Sequence, residues 1–359
     1  MTYRNHLIEL PQNRVWRSYL GGRTLDELAG KEGPRDSHYP EDWIASVTLA
    51  NNPGSDLENE GISSVWVGGK QWLFSDLVAQ DPVYFLGADQ VARFGNKPMV
   101  LVKLLDSAAR LQLQAHPTAE FARAHLDSHS GKAEAYYILG MREDIDEGYV
   151  YLGFQRPPGR DEFKRCVEAQ DLAAMESWFD RISVRPGDTL FIPGGVPHAI
   201  GEGIFRVEIM DPSDLVVRFE YQRGESVLPE SARFMNRDLD FCLDMFDFEA
   251  RTESQVRRDN MFQPRPETEY SPTARRYHLL GAETTPCFQV KKSVITGAVE
   301  REESSYFTGV VTAGRCVLKT SESAIALDTF GKFFCPAGLG RFIIEADEEV
   351  QILECFPPA

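Results

Sequence analysis

Gly187-Asp188-Thr189-Leu190-Phe191-Ile192-Pro193-Gly194-Gly195-Val196-Pro197-His198 reads as turn, strand, turn, and ends on a histidine. Gly187 and Asp188 follow Pro186 as a turn signal, Thr189 to Ile192 is an apolar run of strand length, and Pro193-Gly194-Gly195 breaks it again. Ile204 to Met210 reads as the return strand, so His198 stands at the end of a turn between two strands. A histidine in that position is a candidate metal ligand, but one imidazole does not make a metal site.

Partners for His198 come from two stretches upstream. Leu111 to Pro117 alternates apolar and polar residues, which in a half-buried strand sends Gln112, Gln114 and His116 to one face and Leu111, Leu113 and Ala115 to the other. Gly131-Lys132-Ala133-Glu134-Ala135-Tyr136-Tyr137-Ile138-Leu139 enters a strand through a Gly turn, with Glu134 at its start. Gln114, His116, Glu134 and His198 together supply two imidazoles, a carboxylate and an amide oxygen. That set suits zinc and leaves room for water or substrate oxygens. His6, His38, His125, His129 and His278 have no comparable context and read as structural or surface residues.

The spacing of Gly187, Pro193, Gly195 and His198 resembles the second conserved motif of the cupin superfamily, small β-barrels that commonly hold a metal among histidines. Glu202 stands where an Asn usually follows. Gln-Ala-His-Pro at 114–117, Gly-Lys-Ala-Glu at 131–134, Pro-His-Ala-Ile-Gly at 197–201 and Ser-Asp-Leu-Val-Val-Arg at 213–218, in that order, resemble the type I mannose-6-phosphate isomerase family. The resemblance is strongest over about 98 to 221. It extends weakly to Gly21–Leu25 and to Pro40–Ser46, which look like the Gly-Gly and Glu-any-Trp elements before the first barrel of that family.

This resemblance implies a cytoplasmic zinc enzyme of carbohydrate metabolism, an isomerase that interconverts mannose 6-phosphate and fructose 6-phosphate through an enediolate. It implies one zinc per chain, held by Gln114, His116, Glu134 and His198, and it maps the family's active-site arginine onto Arg218. The fold it implies is mainly β with helical insertions, two cupin (jelly-roll) barrels of which the second is degenerate.

Alternation along Ile204–Met210 puts Arg206 and Glu208 on one face and Phe205, Val207 and Ile209 on the other. A carboxylate facing a barrel interior is costly unless paired or functional, so Glu208 is a candidate proton carrier, its pKa open to an upward push by a partly dry barrel. Aldose to ketose conversion needs a base, stabilisation of an enediolate, and a proton shuttle between oxygens. Lys132 or a metal-bound water are alternative bases, and Arg218 would stabilise negative charge or hold substrate. The chain departs from the family at Gln112, where a Ser associated with phosphate binding usually stands. An unphosphorylated or differently phosphorylated sugar is therefore a second expectation. An Fe(II) cupin oxygenase and a non-catalytic sugar-binding cupin are others, the first opposed by Gln114.

The resemblance implies a small-molecule sugar or sugar phosphate as partner, and composition argues against nucleic acid and membrane. With 38 basic and 55 acidic residues the net charge is −17, which removes the counterion-release drive for binding nucleic acid. Met1 to His6 carries no apolar core of signal-peptide length, and no run approaches a membrane span. Cys166, Cys242, Cys287, Cys316, Cys335 and Cys355 form no Cys-any-any-Cys pairs, which favours reduced thiols in a cytoplasm. Oligomeric state is not legible.

Three regions are expected: 1–225, a leader plus the metal-binding cupin with helical insertions; 226–274, a helical connector and polar linker; and 275–359, a degenerate cupin-like β domain. Insertions are expected at Thr118–Leu126 and within Asp161–Ile182, and a connector helix across Pro229–Phe246. In the last region Gly331 to Arg341 echoes the opening stretch, but with one residue fewer before Pro336 and with Arg341 where the histidine should stand.

Overall fold

A computed structural model describes residues 3–52 and 57–359. Met1, Thr2 and 53–56, all within the expected leader, lie outside the described residues. The fold is mainly β, with 37% of residues in strands and 18% in helices.

The first barrel is built from two antiparallel sheets. A seven-stranded sheet runs Met261–Phe262, Thr189–Ile192, Glu134–Met141, Ile204–Met210, Leu101–Asp106, Glu41–Ile44, Arg14–Val15. A five-stranded sheet runs Ile182–Val184, Gly148–Leu152, His198–Ile200, Gln114–Ala115, Val217–Arg218. Each strand alternates between two environments. In the seven-stranded sheet Val102, Leu104, Phe205, Val207 and Ile209 face outward and pack on Leu280, Phe288, Val310 and Leu353 of the C-terminal region. Tyr136, Ile138, Leu190 and Ile192 face inward against Val150, Leu152 and Ile200 of the other sheet. The outer face of the five-stranded sheet is closed by the helices Arg160–Ala169, Leu172–Ser177 and Leu239–Leu243, through an aromatic layer of Phe154, Phe163, Trp178, Phe219 and Phe246.

The C-terminal barrel is a nine-stranded sheet that encloses its own apolar cluster, including Phe307, Phe333, Phe342 and Ile352. It recruits the strand Ile8–Glu9, paired with Phe333 and Phe334, so the amino-terminal segment enters both barrels. Its longest strand, Arg341–Phe356, is paired along its length with Gln289–Glu302. A bulge between Ile295 and Gly297 absorbs the acidic stretch at 347–349 without ending the ladder.

Departures from the expected elements have local causes. Three short helices, Phe74–Gln80, Pro82–Leu86 and Ala88–Phe94, stand outside the expected helical insertions. None is long enough to show a helical period, and each stops at a boundary residue, Asp81, Gly87 or Gly95. The polar stretch 251–274, read as a linker, holds the helix Glu253–Asn260 and the strand Arg265–Ser271. Thr252 and Gln255 form a reciprocal capping box that starts that helix. In the connector, a 3-10 turn at Glu230–Ala232 and an α-helix at Leu239–Leu243, capped by Asp238, replace the expected single helix, because Met235 and Asn236 adopt positive φ and break the chain between them.

Arg341 stands at the exposed start of the last strand, 3.3 Å from Glu302 and 3.4 Å from Glu300. No metal-binding group of three His, Cys, Asp or Glu occurs in the C-terminal barrel among the described residues. Arg341→Ala is therefore expected to leave metal content, turnover and thermal midpoint unchanged within error, because exposed ion pairs contribute little. A large fall in rate in a folded variant would show instead that the second barrel takes part in catalysis.

Candidate metal centre

Three loops meet at one end of the first barrel because glycines let them touch. A side chain at Gly194 would lie 2.7 Å from the Thr118 backbone, and one at Gly131 would lie 2.5 Å from the Pro117 carbonyl oxygen. Gly195 N–H donates to the His116 carbonyl (2.6 Å) and Lys132 N–H to the Pro117 carbonyl (3.0 Å). The turns preceding Glu134 and His198 are thus hydrogen-bonded to the segment that follows His116, which brings residues 82 positions apart onto one site.

His116, Glu134 and His198 are buried, with ligand atoms all within 4.8 Å of one another. His116 Nδ1 is bonded to the Leu215 carbonyl and His198 Nδ1 to the Val196 carbonyl, each at 2.9 Å. A carbonyl only accepts, so both Nδ1 atoms carry the proton and both Nε2 atoms present lone pairs. Those lone pairs aim at one carboxylate oxygen: Glu134 Oε1 lies 3.0 Å from His198 Nε2 and 3.5 Å from His116 Nε2. The Gln114 amide stands 3.4 Å from His198 Nε2, because Gln114 and His198 are register partners.

Electrostatics keep His116 and Glu134 deprotonated. Burial, with the neighbouring Lys132 charge, lowers the His116 pKa to about 3. Burial alone would raise the Glu134 pKa, but the Lys132 charge holds it well below the usual carboxylate range. Lys132 Nζ lies 2.9 Å from both His116 Nε2 and Glu134 Oε2, so the cluster already draws a cation onto these atoms. The donor types, their buried lone pairs and this stand-in ammonium all fit a divalent ion.

The cleft above the cluster is lined by Gln112, Gln114, His116, Lys132, Glu208 and Arg218, all expected from the sequence. Glu134 and His198 sit beneath it. Glu208 Oε1 is 3.3 Å from Lys103 and 3.9 Å from Lys132. Arg218 donates to the Ala232 carbonyl (2.9 Å) and forms no ion pair among the described residues. Burial first, and then the Arg17 charge, lower its pKa, against the opposing effect of Asp214.

Five polar lining residues escaped the sequence reading: Arg17, Tyr19, Glu41, Lys103 and Asp214. Arg17 is paired with Asp214 (3.1 Å) and Glu41 (3.1 Å), and Lys103 with Glu41 (3.6 Å). Lys103 left a signal as the sole cation in the apolar run Leu101–Leu105, and Glu41 as part of the Glu-any-Trp element.

No protein-family model matches the chain. It is 34% identical over 125 residues to "Probable mannose-6-phosphate isomerase GmuF" of Bacillus subtilis, a match covering 34% of this chain and 38% of that protein. It is 30% identical over 133 residues to the mannose-6-phosphate isomerase ManA of the same organism, covering 37% and 40%. The matched stretches thus span about two fifths of these relatives' own length. Among solved structures, the mannose 6-phosphate isomerase of Bacillus subtilis superposes with a TM-score of 0.73 at 20% identity, over 97% of this chain and 99% of that one. A mannose 6-phosphate isomerase bound with zinc and yttrium superposes with a TM-score of 0.67 at 14% identity, over 98% of this chain and 100% of that one. At such identities the structural likeness establishes the fold.

Proposed function

We propose that the chain, by its likeness to curated mannose-6-phosphate isomerases, is a cytoplasmic zinc enzyme of that family, with one ion per chain, that interconverts mannose 6-phosphate and fructose 6-phosphate. The observation that carries this reading is the pair of buried imidazoles, each fixed through Nδ1 to a backbone carbonyl and each aiming Nε2 at the same oxygen of Glu134. Gln114 completes the set. A bound ion would supply Lewis acidity at the sugar's carbonyl and hydroxyl oxygens.

The remaining work falls to the chain's own side chains. Glu208, in the cleft wall, carries the proton between C1 and C2. Arg218, without a carboxylate partner, offers its free N–H groups to negative charge on the substrate. Lys132 holds substrate or serves as the alternative base, and Gln112 donates to the group that Ser binds elsewhere in the family. The cleft has five cations on or beneath its walls, Arg17, Lys103, Lys132, Arg206 and Arg218, against the four carboxylates Glu41, Glu134, Glu208 and Asp214. With a divalent ion it is cationic, which favours a phosphorylated over a neutral sugar. No helix among the described residues is long and apolar enough to cross a membrane.

An isomerisation assay on paired sugars tests this. Mannose 6-phosphate is expected to exceed free mannose in kcat/KM by about 10² to 10⁴, since two charge-assisted hydrogen bonds are worth roughly 1.5–3 kcal/mol each. Equal turnover of free mannose would refute the phosphate assignment and leave the isomerase chemistry standing. Binding without turnover of any sugar would favour a sugar-binding module, and bound iron with oxygen uptake an oxygenase.

A further inference from the structure

On the strand Ile204–Met210, Arg206 points into the barrel between its register partners Leu105 and Ile138. An apolar side chain would suit that place, yet a guanidinium occupies it, fully buried. Taking an ion out of water costs several kcal/mol unless partners offset it. Among the described residues Arg206 has few: none of its three nitrogens has a hydrogen-bond partner, and the guanidinium lies 5.0 Å from the Tyr136 ring. Its one ion pair is with Glu208, Nη2 to Oε2 at 3.6 Å.

The two oxygens of Glu208 therefore face different cations. Oε1 is turned to Lys103 and Lys132, which line the cleft, and Oε2 to Arg206, which lies below it. Two cations alone could pull both oxygens to the cleft side. A third, fixed beneath, divides them and sets the plane of the carboxylate.

We propose that Arg206 is a positioning residue: it costs stability where it sits and holds Glu208 in the orientation from which that carboxylate reaches substrate. The inference rests on the isomerase reading, in which Glu208 carries the proton. Removing Arg206 takes away a buried guanidinium without hydrogen-bond partners and leaves Glu208 still paired with Lys103 and Lys132, so no uncompensated charge remains and stability and activity should move apart.

The test compares Arg206→Leu, Arg206→Gln and Arg206→Lys in the metal-loaded enzyme. The Leu and Gln variants are expected to keep the metal, with the thermal midpoint of Leu at or above that of the parent, while kcat falls by about 10- to 100-fold, the range set by small misplacements of a reacting group, and KM changes little. Lys should restore part of kcat. A crystal structure of Arg206→Leu should show both Glu208 oxygens turned toward Lys103 and Lys132. Full kcat in a folded Leu or Gln variant overturns the proposal, as does a Glu208 that keeps its place. Should Leu fail to fold, the Gln and Lys variants decide by the same measures. If the parent chain isomerises no sugar, the isomerase reading fails, and the position of Glu208 alone decides whether Arg206 orients it.

Discussion

Replacing His198 with Ala is expected to strip the protein of its metal and to lower kcat/KM for mannose 6-phosphate by about 10³-fold or more, roughly 4 kcal/mol of transition-state stabilisation. The imidazole is locked: Nδ1 is held by the Val196 carbonyl, and Nε2 stands 3.0 Å from Glu134 Oε1 and 3.4 Å from the Gln114 amide. Nothing else buried nearby can replace its lone pair, since Lys132 presents only donors. Elemental analysis of the folded variant checks the first half and an isomerisation assay with added zinc the second. A variant that retains a full equivalent of metal would mean that the ion is not held by this cluster.

Arg218→Ala should behave differently, losing activity while keeping metal. Arg218 is cross-strand from Gln114 and lines the cleft, yet among the described residues its side chain donates only to the Ala232 carbonyl. Its other N–H groups are free for the substrate, and losing two charge-assisted hydrogen bonds at roughly 1.5–3 kcal/mol each lowers kcat/KM by about 10² to 10⁴. The thermal midpoint should hardly move, because no buried carboxylate loses its partner. Arg218→Lys should recover only part of the loss, as an ammonium cannot reproduce the planar fork. Normal turnover by the Ala variant would remove Arg218 from the site; loss of metal would make it a support of the cluster instead.

The ligand candidates were legible because each sits in a short pattern whose meaning is local. Alternation over Leu111–His116 placed Gln112, Gln114 and His116 on one face, and all three line the cleft, but Leu111, expected on the other face with Leu113 and Ala115, lines it too. The glycine pair before His198 signalled a turn, and that turn packs on the chain beyond His116. Glu208 and Arg218 followed from the same period of two. Helices were harder to read: those at 74–94 are too short to show a period, and the one at Glu253–Asn260 is marked by a cap more than by an apolar stripe.

The sequence by itself determined the type of fold, the strands that carry the candidate ligands, and the chemistry those ligands can do, since side-chain direction and donor type are properties of neighbours along the chain. Only the tertiary structure decided what surrounds them. Arg17, Tyr19 and Glu41 reach the cleft from a segment whose first strand, Ile8–Glu9, belongs to the other barrel, and Lys103 shares Glu208 with Lys132 and Arg206 across strand pairings. Whether a buried charge is paired, and with which partner, depends on strands packed from distant parts of the chain, and no local pattern records that packing.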